Sequence, residues 1–390
     1  SDKTYVEAQD NINDAIPWIP IGNANTVRFM GEFDGNNKQV SHMLVTSSTG
    51  GGYLGFFGRT GGTNAAAPNV MIKDLGIKSG KITSDDGTIS DCAAGIAAGA
   101  GLIDERKIQI LRCWNGATVD AKSRYENGGI CAYMRGNEAM IDGCYNLGDI
   151  SGGILGNGGI IGNDGPSPIC TIKNCYNTGA VKGGKRCGGI VGYFNSNGQA
   201  KHLLTYCYNI GTVESTETDA VYGEICGDGS KSYSSGIGVT FCYYDSRKNA
   251  GTSPNMEEAQ IIGVSQAALK SWSMAYALNN YGLASNQSSG SSWTWTEGGY
   301  PTLYSVAENP EKKLAPAKDW SVIGQGVADG LIGQRGTGRP IPVPEGDGSR
   351  DNPYVITNAE QLAWFAKEGN VTSKDKWSLC AKMTNNMDLF

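Results

Sequence analysis

The sequence is poor in histidine, in net positive charge and in long apolar runs. It contains 2 histidines, and its 32 Lys and Arg residues stand against 38 Asp and Glu residues, a formal net charge of −6. Such a chain offers no basic face to nucleic acid, so no nucleic-acid partner is predicted. No apolar run approaches the ~20 residues of a membrane span, which predicts that the chain has none. Because it starts at Ser1 without an initiator methionine or a signal peptide, we expect a processed or excised piece.

The cysteines lack the spacing of a metal site. No CxxC pair occurs among the 11 cysteines, and of the two histidines only His202 lies near a cysteine, Cys207. Zinc, other metals and cofactors are therefore not predicted. If the chain repeats in stacked coils, which would lie about 4.8 Å apart, equivalent cysteines of neighbouring coils would come within disulfide range. Parallel side chains, however, seldom reach the dihedral angle that a disulfide requires. We predict free, buried thiols, with disulfides as the alternative.

A repeated phrase organises the middle of the chain. A cysteine followed by two aromatic or asparagine residues returns in steps of 31, 31, 32 and 35 residues, and a Gly-Gly-Ile phrase returns between these in steps of 30. The cysteine phrases are Cys113-Trp114-Asn115, Cys144-Tyr145-Asn146, Cys175-Tyr176-Asn177, Cys207-Tyr208-Asn209 and Cys242-Tyr243-Tyr244. A period of this length indicates a stacked array. Since each unit holds short strand-like runs between glycine-rich turns, we predict an all-β solenoid.

The repeated aromatic and amide residues allow two interpretations. We expect the aromatic column to be a stacked ladder that holds the coils in register, and the alternative is a carbohydrate platform on the outside; its members are Trp114, Tyr145, Tyr176, Tyr208 and Tyr243. The asparagines are expected to form an amide ladder in which each side chain satisfies a backbone group of the next coil. These are Asn115, Asn146, Asn177 and Asn209.

Acidic residues give no clear catalytic set. Asp85, Asp86 and Asp91 are close in sequence, but Asp-Gly is a turn signal, and no Asp and Arg set recurs on a coil face. Residues 346–352 are rich in oxygen ligands, yet they lack EF-hand spacing, and a solvated linker is the simpler interpretation. We predict no enzymatic activity.

The periodicity divides the chain into four segments. Residues 1–247 are predicted to be solenoid coils, and 248–304 a C-terminal cap with a short helix that Ser265 N-caps. Residues 305–345 are rich in Pro, Gly and charge and are predicted to be a linker. Residues 346–390 are predicted to form a strand, a helix that Asn358 caps with Gln361 in the capping box, and a second strand.

A set of phrases resembles a known family. W-x-PIG from Trp18, FDGN from Phe33, then G-[LF]-FG, I-x-[DN]-LGI and serial CYN-x-G units with GGI-x-G between them are similar to the GLUG-motif repeat proteins of bacterial cell surfaces. The likeness covers about 1–247 and 346–390. It implies a right-handed parallel β-helix, exported to the cell surface, in structural or adhesive use. This sequence departs from the pattern at residues 223–227, where GEICG replaces GGI-x-G.

The order of the phrases is unusual for that family. A segment like NPYVITNAEQLAWFA precedes W-x-PIG there, whereas here it comes last. Three arrangements would reunite the two parts: a covalent tandem array, docking of the tail on a neighbouring subunit, or folding of the tail back on its own first coil. We predict an extracellular head-to-tail homopolymer, with host or surface glycans as further partners. The alternative is a monomeric adhesin or a β-helix protein that binds or cleaves polysaccharide.

The head-to-tail model names the residues of the junction. The tail is expected to contribute its apolar side chains to the first coil of the next unit, where Trp18 and Phe33 would receive them. The tail residues are Tyr354, Ile356, Leu362, Trp364, Phe365, Leu389 and Phe390.

Overall fold

The computed structural model describes most of the repeat region and parts of the C-terminal third. The described residues are 17–23, 27–50, 52–61, 69–84, 90–101, 107–165, 167, 169–195, 201–215, 217–229, 237–248, 261–281, 291–305, 312–317, 320–329, 331, 344–357, 361–362, 365 and 380–384. The chain divides into two compact units, Ser1–Ile261 and Ile262–Phe390.

The first unit is a stack of coils whose strands form four parallel sheets. Sheet 1 contains Glu32–Val40, Val70–Ile77, Lys107–Leu111, Trp114–Asn115, Glu138–Asp142, Tyr145–Asn146, Ile169–Lys173, Tyr176–Asn177, Lys201–Asn209 and Ile237–Asp245. Sheet 2 contains Met43–Val45, Gly80–Thr83, Thr118–Ser123, Ile150–Gly153, Val181–Lys182 and Val213–Glu214. Sheet 3 contains Tyr53–Leu54, Cys92–Ala94, Glu126–Gly128, Gly156–Gly158, Arg186–Gly188 and Val221–Gly223. Sheet 4 contains Phe57–Thr60, Ala97–Ala100, Cys131–Met134, Ile161–Asn163, Val191–Phe194 and Cys226–Gly229.

This architecture confirms the predicted fold class, an all-β parallel β-helix. In sheet 1, Glu138 lies in parallel register with Lys107 on one side and Ile169 on the other, so one coil is 31 residues long at this point. The repeat of the sequence is therefore the repeat of the coil. A short helix, Ser47–Gly50, lies in the first coil.

A left-handed residue before each repeated cysteine sets the local geometry. Five coils place such a residue there, namely Arg112 (φ 52°), Gly143 (66°), Asn174 (51°), Tyr206 (54°) and Phe241 (53°), and Asp74 (55°) takes the same position before Leu75. The positive φ breaks the strand direction, and the following cysteine is buried in the core. Its thiol then donates to the carbonyl two residues earlier, as Cys175 does to Lys173 at 3.0 Å.

The core is a continuous apolar column inside the coils. It combines isoleucine, valine and cysteine of sheets 1, 2 and 4 with Leu54 and Ala93 of sheet 3. The ten cysteines of the first unit are buried and free. The predicted free, buried thiols are thus confirmed for these ten, and Cys380 is half-buried. Burial raises the pKa of the Cys144, Cys175 and Cys207 thiols well above the ordinary value, which suppresses their reactivity.

The second unit contains the predicted cap segment. It has a strand Ile261–Val264 that starts at the unit boundary, helices Gln266–Leu269 and Trp272–Leu278, and an antiparallel strand pair, Ser291–Thr294 with Thr302–Ser305. Ser265 caps the first helix, as predicted, by accepting from Ala268 N–H at 3.1 Å. The sequence pattern suggested one helix, whereas a second cap at Ser271 starts a new one.

The predicted linker 305–345 is in part folded. It contains the helix Trp320–Ala328, in which Ile323 is buried. The Val322 carbonyl accepts from the Ser273 hydroxyl at 2.9 Å, and the Ala315 carbonyl accepts from the Trp272 indole at 2.6 Å. Glycines in this helix lower its intrinsic helix propensity, so these tertiary contacts stabilise a helix that the composition of the segment did not predict.

The predicted strand–helix–strand segment 346–390 is described in part. Tyr354–Ile356 pairs in parallel with Ala381–Met383. Gln361, Leu362 and Phe365 are helical, while Asn358 and most of the predicted helix lie outside the described residues. The Gln361 side chain accepts from the Thr357 N–H at 2.7 Å, which is one residue further back than the capping box predicted.

Candidate functional site

The aromatic column is a stacked ladder, as predicted. Ring centroids are 5.6 Å apart for Trp114 and Tyr145, 4.8 Å for Tyr145 and Tyr176, and 5.1 Å for Tyr176 and Tyr208, with planes within 3° of parallel. Each ring face is covered by the next ring, and a Cβ at Gly76 would lie 2.4 Å from the Trp114 indole. Because a sugar stacks on an aromatic face, this column is not a carbohydrate platform.

The asparagines form a buried amide ladder. Asn115 Nδ2 donates to Asn146 Oδ1 at 2.8 Å, Asn146 to Asn177 at 2.8 Å, and Asn177 to Asn209 at 2.9 Å. The backbone group that each amide satisfies is a carbonyl two residues later in its own coil, not in the next coil as expected. The amide ladder itself therefore links neighbouring coils by hydrogen bonds between side chains only.

Glu224 explains the departure from the Gly-Gly-Ile pattern. In earlier coils the second glycine leaves room for the asparagine of the next coil, and a Cβ at Gly189 would lie 2.3 Å from Asn209 Cγ. At the next step the asparagine is replaced by Tyr244, in register with Asn209. Glu224 is buried and accepts from Asn209 Nδ2 at 3.2 Å, so its carboxylate ends the ladder.

Sheets 3 and 4 meet in a second layer of side chains, outside the main core. Cys92, Ala94, Ala98 and Ala132 form a small apolar cluster against which two half-buried tyrosines pack. Polar and aromatic side chains surround it in two columns that we call the corner cluster. Its members are Tyr53, Glu126 and Arg186 on sheet 3, and Arg59, Tyr133, Asn163, Tyr193 and Asp228 on sheet 4.

Contacts across the corner cluster join the two sheets. Arg59 lies over the Tyr53 ring at 4.4 Å and donates to its hydroxyl at 3.0 Å. Asn163 Nδ2 donates to Glu126 Oε1 at 2.8 Å. Because side chains of both sheets touch on this face, the two sheets enclose an inner angle there.

A second group of contacts lies further along the same corner. Arg186 donates to Asp228 at 2.8 Å and lies over the Tyr193 ring at 4.1 Å. The glycine pair at the turn, Gly128 and Gly129, permits the sharp corner, since a Cβ at Gly128 would lie 1.9 Å from the Cys131 carbonyl oxygen.

Burial dominates the electrostatics of the corner cluster. It raises the pKa of Glu126 above its ordinary value, against the hydrogen bond from Asn163, which lowers it. Burial likewise raises the pKa of Tyr53 to about 12 and that of Tyr133 above its ordinary value. The cluster thus presents half-exposed tyrosine rings beside a carboxyl that tends toward the neutral form. Such a surface suits polar, ring-shaped ligands.

The predicted junction residues of the first coil lie in one aromatic group. Trp18 stacks on Phe56 at 4.9 Å, and its indole donates to the Phe56 carbonyl at 3.0 Å. Phe33 contacts Phe56 at 5.7 Å and Phe57 at 5.3 Å, edge to face. Both predicted residues are half-buried.

The predicted junction residues of the tail are partly described. Ile356 is buried, Leu362 is half-buried, and the Tyr354 and Phe365 rings lie 6.2 Å apart. Trp364, Leu389 and Phe390 lie outside the described residues. Contact of these side chains with another copy of the chain stays a prediction.

The acidic candidates from the sequence are only partly described. Asp85 and Asp86 lie outside the described residues. Asp347 accepts from the Ser349 N–H at 2.9 Å, and hydrogen bonds from Ser349 lower its pKa. The Asp347 carboxylate therefore stabilises the turn in which it lies.

One group among the described residues has the donors of a metal site. Ligand atoms of Asp164, Cys170 and His202 lie within 4.8 Å of one another, and all three side chains are buried. Burial raises the pKa of Asp164 and of Cys170. The cysteine spacing could not reveal this group, because its members come from three separate segments of the chain and no pair of them forms a CxxC or similar motif.

The ladders and the four sheets define a parallel β-helix protein. Comparisons with family models, with curated proteins and with solved structures find no match to this chain. In the part of the chain that is described, no helix is long and apolar enough to cross a membrane.

Proposed function

We propose that this protein is a non-enzymatic, extracellular β-helix of the GLUG-motif kind, whose units join head to tail into a surface fibre with adhesive use. The observation that carries the proposal is that, among the described residues, the first coil and the tail each contain a parallel strand that is paired on one side only. In head-to-tail joining, the edge of the tail would add to the edge of the first coil of the next unit, by the strand addition that many sheets use.

The first coil supplies one of these edges. Among the described residues, Glu32–Val40 pairs on one side only, with Val70–Ile77. Three strongly exposed apolar side chains precede it in the sequence, with exposed fractions of 62% for Ile19, 57% for Val27 and 51% for Met30. An unprotected edge with apolar neighbours favours association with another strand.

The tail supplies the other edge. Tyr354 pairs with Ala381, 27 residues further along the chain, which is close to the length of a coil. The Cys380 carbonyl accepts from the Tyr354 N–H at 2.9 Å, and Thr384 N–H donates to the Ile356 carbonyl at 3.2 Å. In a parallel strand pair, successive residues direct their N–H and C=O groups to opposite sides of the strand. The main-chain groups of Ala381 and Met383 therefore point away from Tyr354–Ile356.

A junction of this kind extends without limit. Joining one end of a unit to the opposite end of the next is a heterologous contact, which produces a filament unless the rotation closes a ring. A covalent tandem array would give the same line of coils. Folding of the tail onto its own first coil would leave monomers instead.

A proline at Met383 tests the junction. Met383→Pro removes an outward N–H but leaves the hydrogen bonds of Tyr354–Ile356 in place, whereas Met383→Ala keeps that N–H and serves as the matched control. By electron microscopy we expect fibres with a one-unit repeat from the wild type and from Met383→Ala, and single particles from Met383→Pro. Monomeric wild type at high concentration, with 346–390 protected from protease, would overturn the proposal in favour of the fold-back arrangement.

The corner cluster supports a second candidate function, polysaccharide binding. The half-exposed rings of Tyr53, Tyr133 and Tyr193 lie along one corner beside charged side chains, and aromatic faces bind sugar rings. Tyr133→Ala and Tyr193→Ala should weaken retention in affinity electrophoresis through acidic polysaccharide, with the exposed Tyr125→Ala as control. Depolymerisation of such a polysaccharide by the wild type would refute the non-enzymatic role.

A further inference from the structure

The inside of the fifth and sixth coils holds a polar group where the other coils are apolar. Cys170 and His202 are in register on neighbouring strands of sheet 1. The same position is apolar elsewhere along the column, where it is occupied by Val70, Ile108, Ala139 and Ile237. Asp164, which follows the strand Ile161–Asn163, is buried against this pair.

The polar atoms of Asp164, Cys170 and His202 do not make all of their possible hydrogen bonds among the described residues. His202 Nδ1 contacts Asp164 Oδ2, and Asp164 Oδ1 accepts from the Asn195 N–H at 2.8 Å. His202 Nε2 is buried and has no hydrogen-bond partner among the described residues. An unpaired nitrogen in the core is unfavourable, so the described residues do not meet the full hydrogen-bonding capacity of this imidazole.

The Cys170 thiol is an exception among the buried cysteines. The other nine thiols of the first unit each donate to a carbonyl or a carboxylate of the described chain. The Cys170 thiol has no such acceptor among the described residues, although its neighbours in the group are an imidazole and a carboxylate. Its sulfur is therefore available as a ligand.

We propose that Asp164, Cys170 and His202 bind a Zn²⁺ ion inside the coil stack. Sulfur, nitrogen and oxygen donors together suit Zn²⁺, whereas Ca²⁺ and Mg²⁺ take oxygen ligands only. Bonds of about 2.0–2.3 Å in a tetrahedron place ligand atoms about 3.3–3.7 Å apart. The three atoms lie within 4.8 Å of one another, so small side-chain shifts would close the site.

Binding has a defined charge and proton balance. The ion takes a carboxylate, a neutral imidazole and a thiolate, and the Cys170 proton leaves to solvent. The two negative ligands neutralise the ion, so the ion and its three ligands together carry no net charge. The fourth position of the tetrahedron belongs to water or to another group of the chain.

Zinc content and cobalt spectra of the full chain test the site. After treatment with a chelator, the protein is given Zn²⁺ alone, passed over a desalting column and measured for bound metal. Cys170→Ala is the test variant, because Ala139 occupies the same position one coil earlier. Cys175→Ala removes another buried thiol and is the control. Co²⁺-loaded protein reports the sulfur ligand through its thiolate charge-transfer band.

We expect one zinc per chain for the wild type and for Cys175→Ala, and at least a tenfold weaker affinity for Cys170→Ala. Zinc, but not Mg²⁺, should raise the melting temperature of the wild type. Zinc retention by Cys170→Ala equal to that of the wild type would overturn the proposal, as would wild type that retains less than about a tenth of an equivalent. If Cys170→Ala fails to fold, the wild-type cobalt spectrum decides, and absence of the thiolate band refutes the site.

Discussion

Replacement of Asn146 by aspartate probes the amide ladder with a change of one atom. Asn146 is fully buried. Its Nδ2 donates to the Gly148 carbonyl at 2.7 Å and to Asn177 Oδ1 at 2.8 Å, while its Oδ1 accepts from Asn115 Nδ2 at 2.8 Å. The aspartate keeps the shape and the acceptor but replaces the donor by an oxygen.

The magnitude follows from the two hydrogen bonds that are lost. The Gly148 carbonyl and Asn177 Oδ1 each lose the donor that Asn146 supplied, and each buried, unsatisfied group costs about 1–3 kcal/mol. We therefore expect Asn146→Asp to lower the free energy of unfolding by about 2–6 kcal/mol. Asn146→Ala should cost a similar amount, because it removes the same donor and leaves a void beside Gly129.

Urea denaturation, followed by circular dichroism and extrapolated linearly to water, measures the effect. Leu147→Ala is the control, since the Leu147 side chain is 44% exposed and should change stability by less than about 1 kcal/mol. The ladder would be refuted as a source of stability if Asn146→Asp unfolded within about 0.5 kcal/mol of the wild type.

Three further outcomes follow from the same stack. Gly129→Ala should cost about 3 kcal/mol in urea denaturation, because its Cβ would lie 2.1 Å from the Gly159 carbonyl oxygen and backbone cannot yield cheaply; a cost under 1 kcal/mol contradicts the close approach. Burial holds the pKa of Glu126 above its unfolded value, so the folded state binds more protons, and stability should fall as pH rises from the ordinary glutamate range toward the folded pKa. Glu126→Gln should flatten that pH dependence in thermal melts. An unchanged pH profile in this variant argues against Glu126 as its source. In a native thiol titration only the half-buried Cys380 should react quickly, with Cys175 among the ten slow thiols; fast modification of Cys175 would exclude its inward position.

The replacement of Cys175 by serine is milder than the repeat alone suggests. An inward position by itself predicts that a serine there leaves a buried hydroxyl without a partner. In the structure the Cys175 thiol already donates to the Lys173 carbonyl at 3.0 Å, and a serine hydroxyl inherits that acceptor. The remaining cost is the poorer packing of a smaller atom, about 1 kcal/mol.

The repeat in the sequence was sufficient for the fold class, for the inward cysteines and for the aromatic ladder. In a stack of coils, the neighbour of each residue is its own equivalent one period away, as Tyr145 is paired with Trp114 and Tyr176. Periodicity therefore determines which side chains touch along the axis. Periodicity also predicted that the asparagines interact, but the prediction that each one satisfies a backbone group of the next coil was wrong, because each satisfies a carbonyl of its own coil.

Contacts between different sheets were decided by the tertiary structure. Glu126 meets Asn163, 37 residues away, and Asp164 meets His202, 38 residues away; neither separation is a multiple of the period. The helix Trp320–Ala328 likewise depends on contacts to Ser273 and to its neighbours. These side-chain contacts depend on the angles at which a coil turns between its sheets and on how the second unit packs on itself. A repeat length fixes the spacing along the stack, but it carries no information about those angles, so the corner cluster and the metal-ligand group emerge only when the coil is closed in three dimensions.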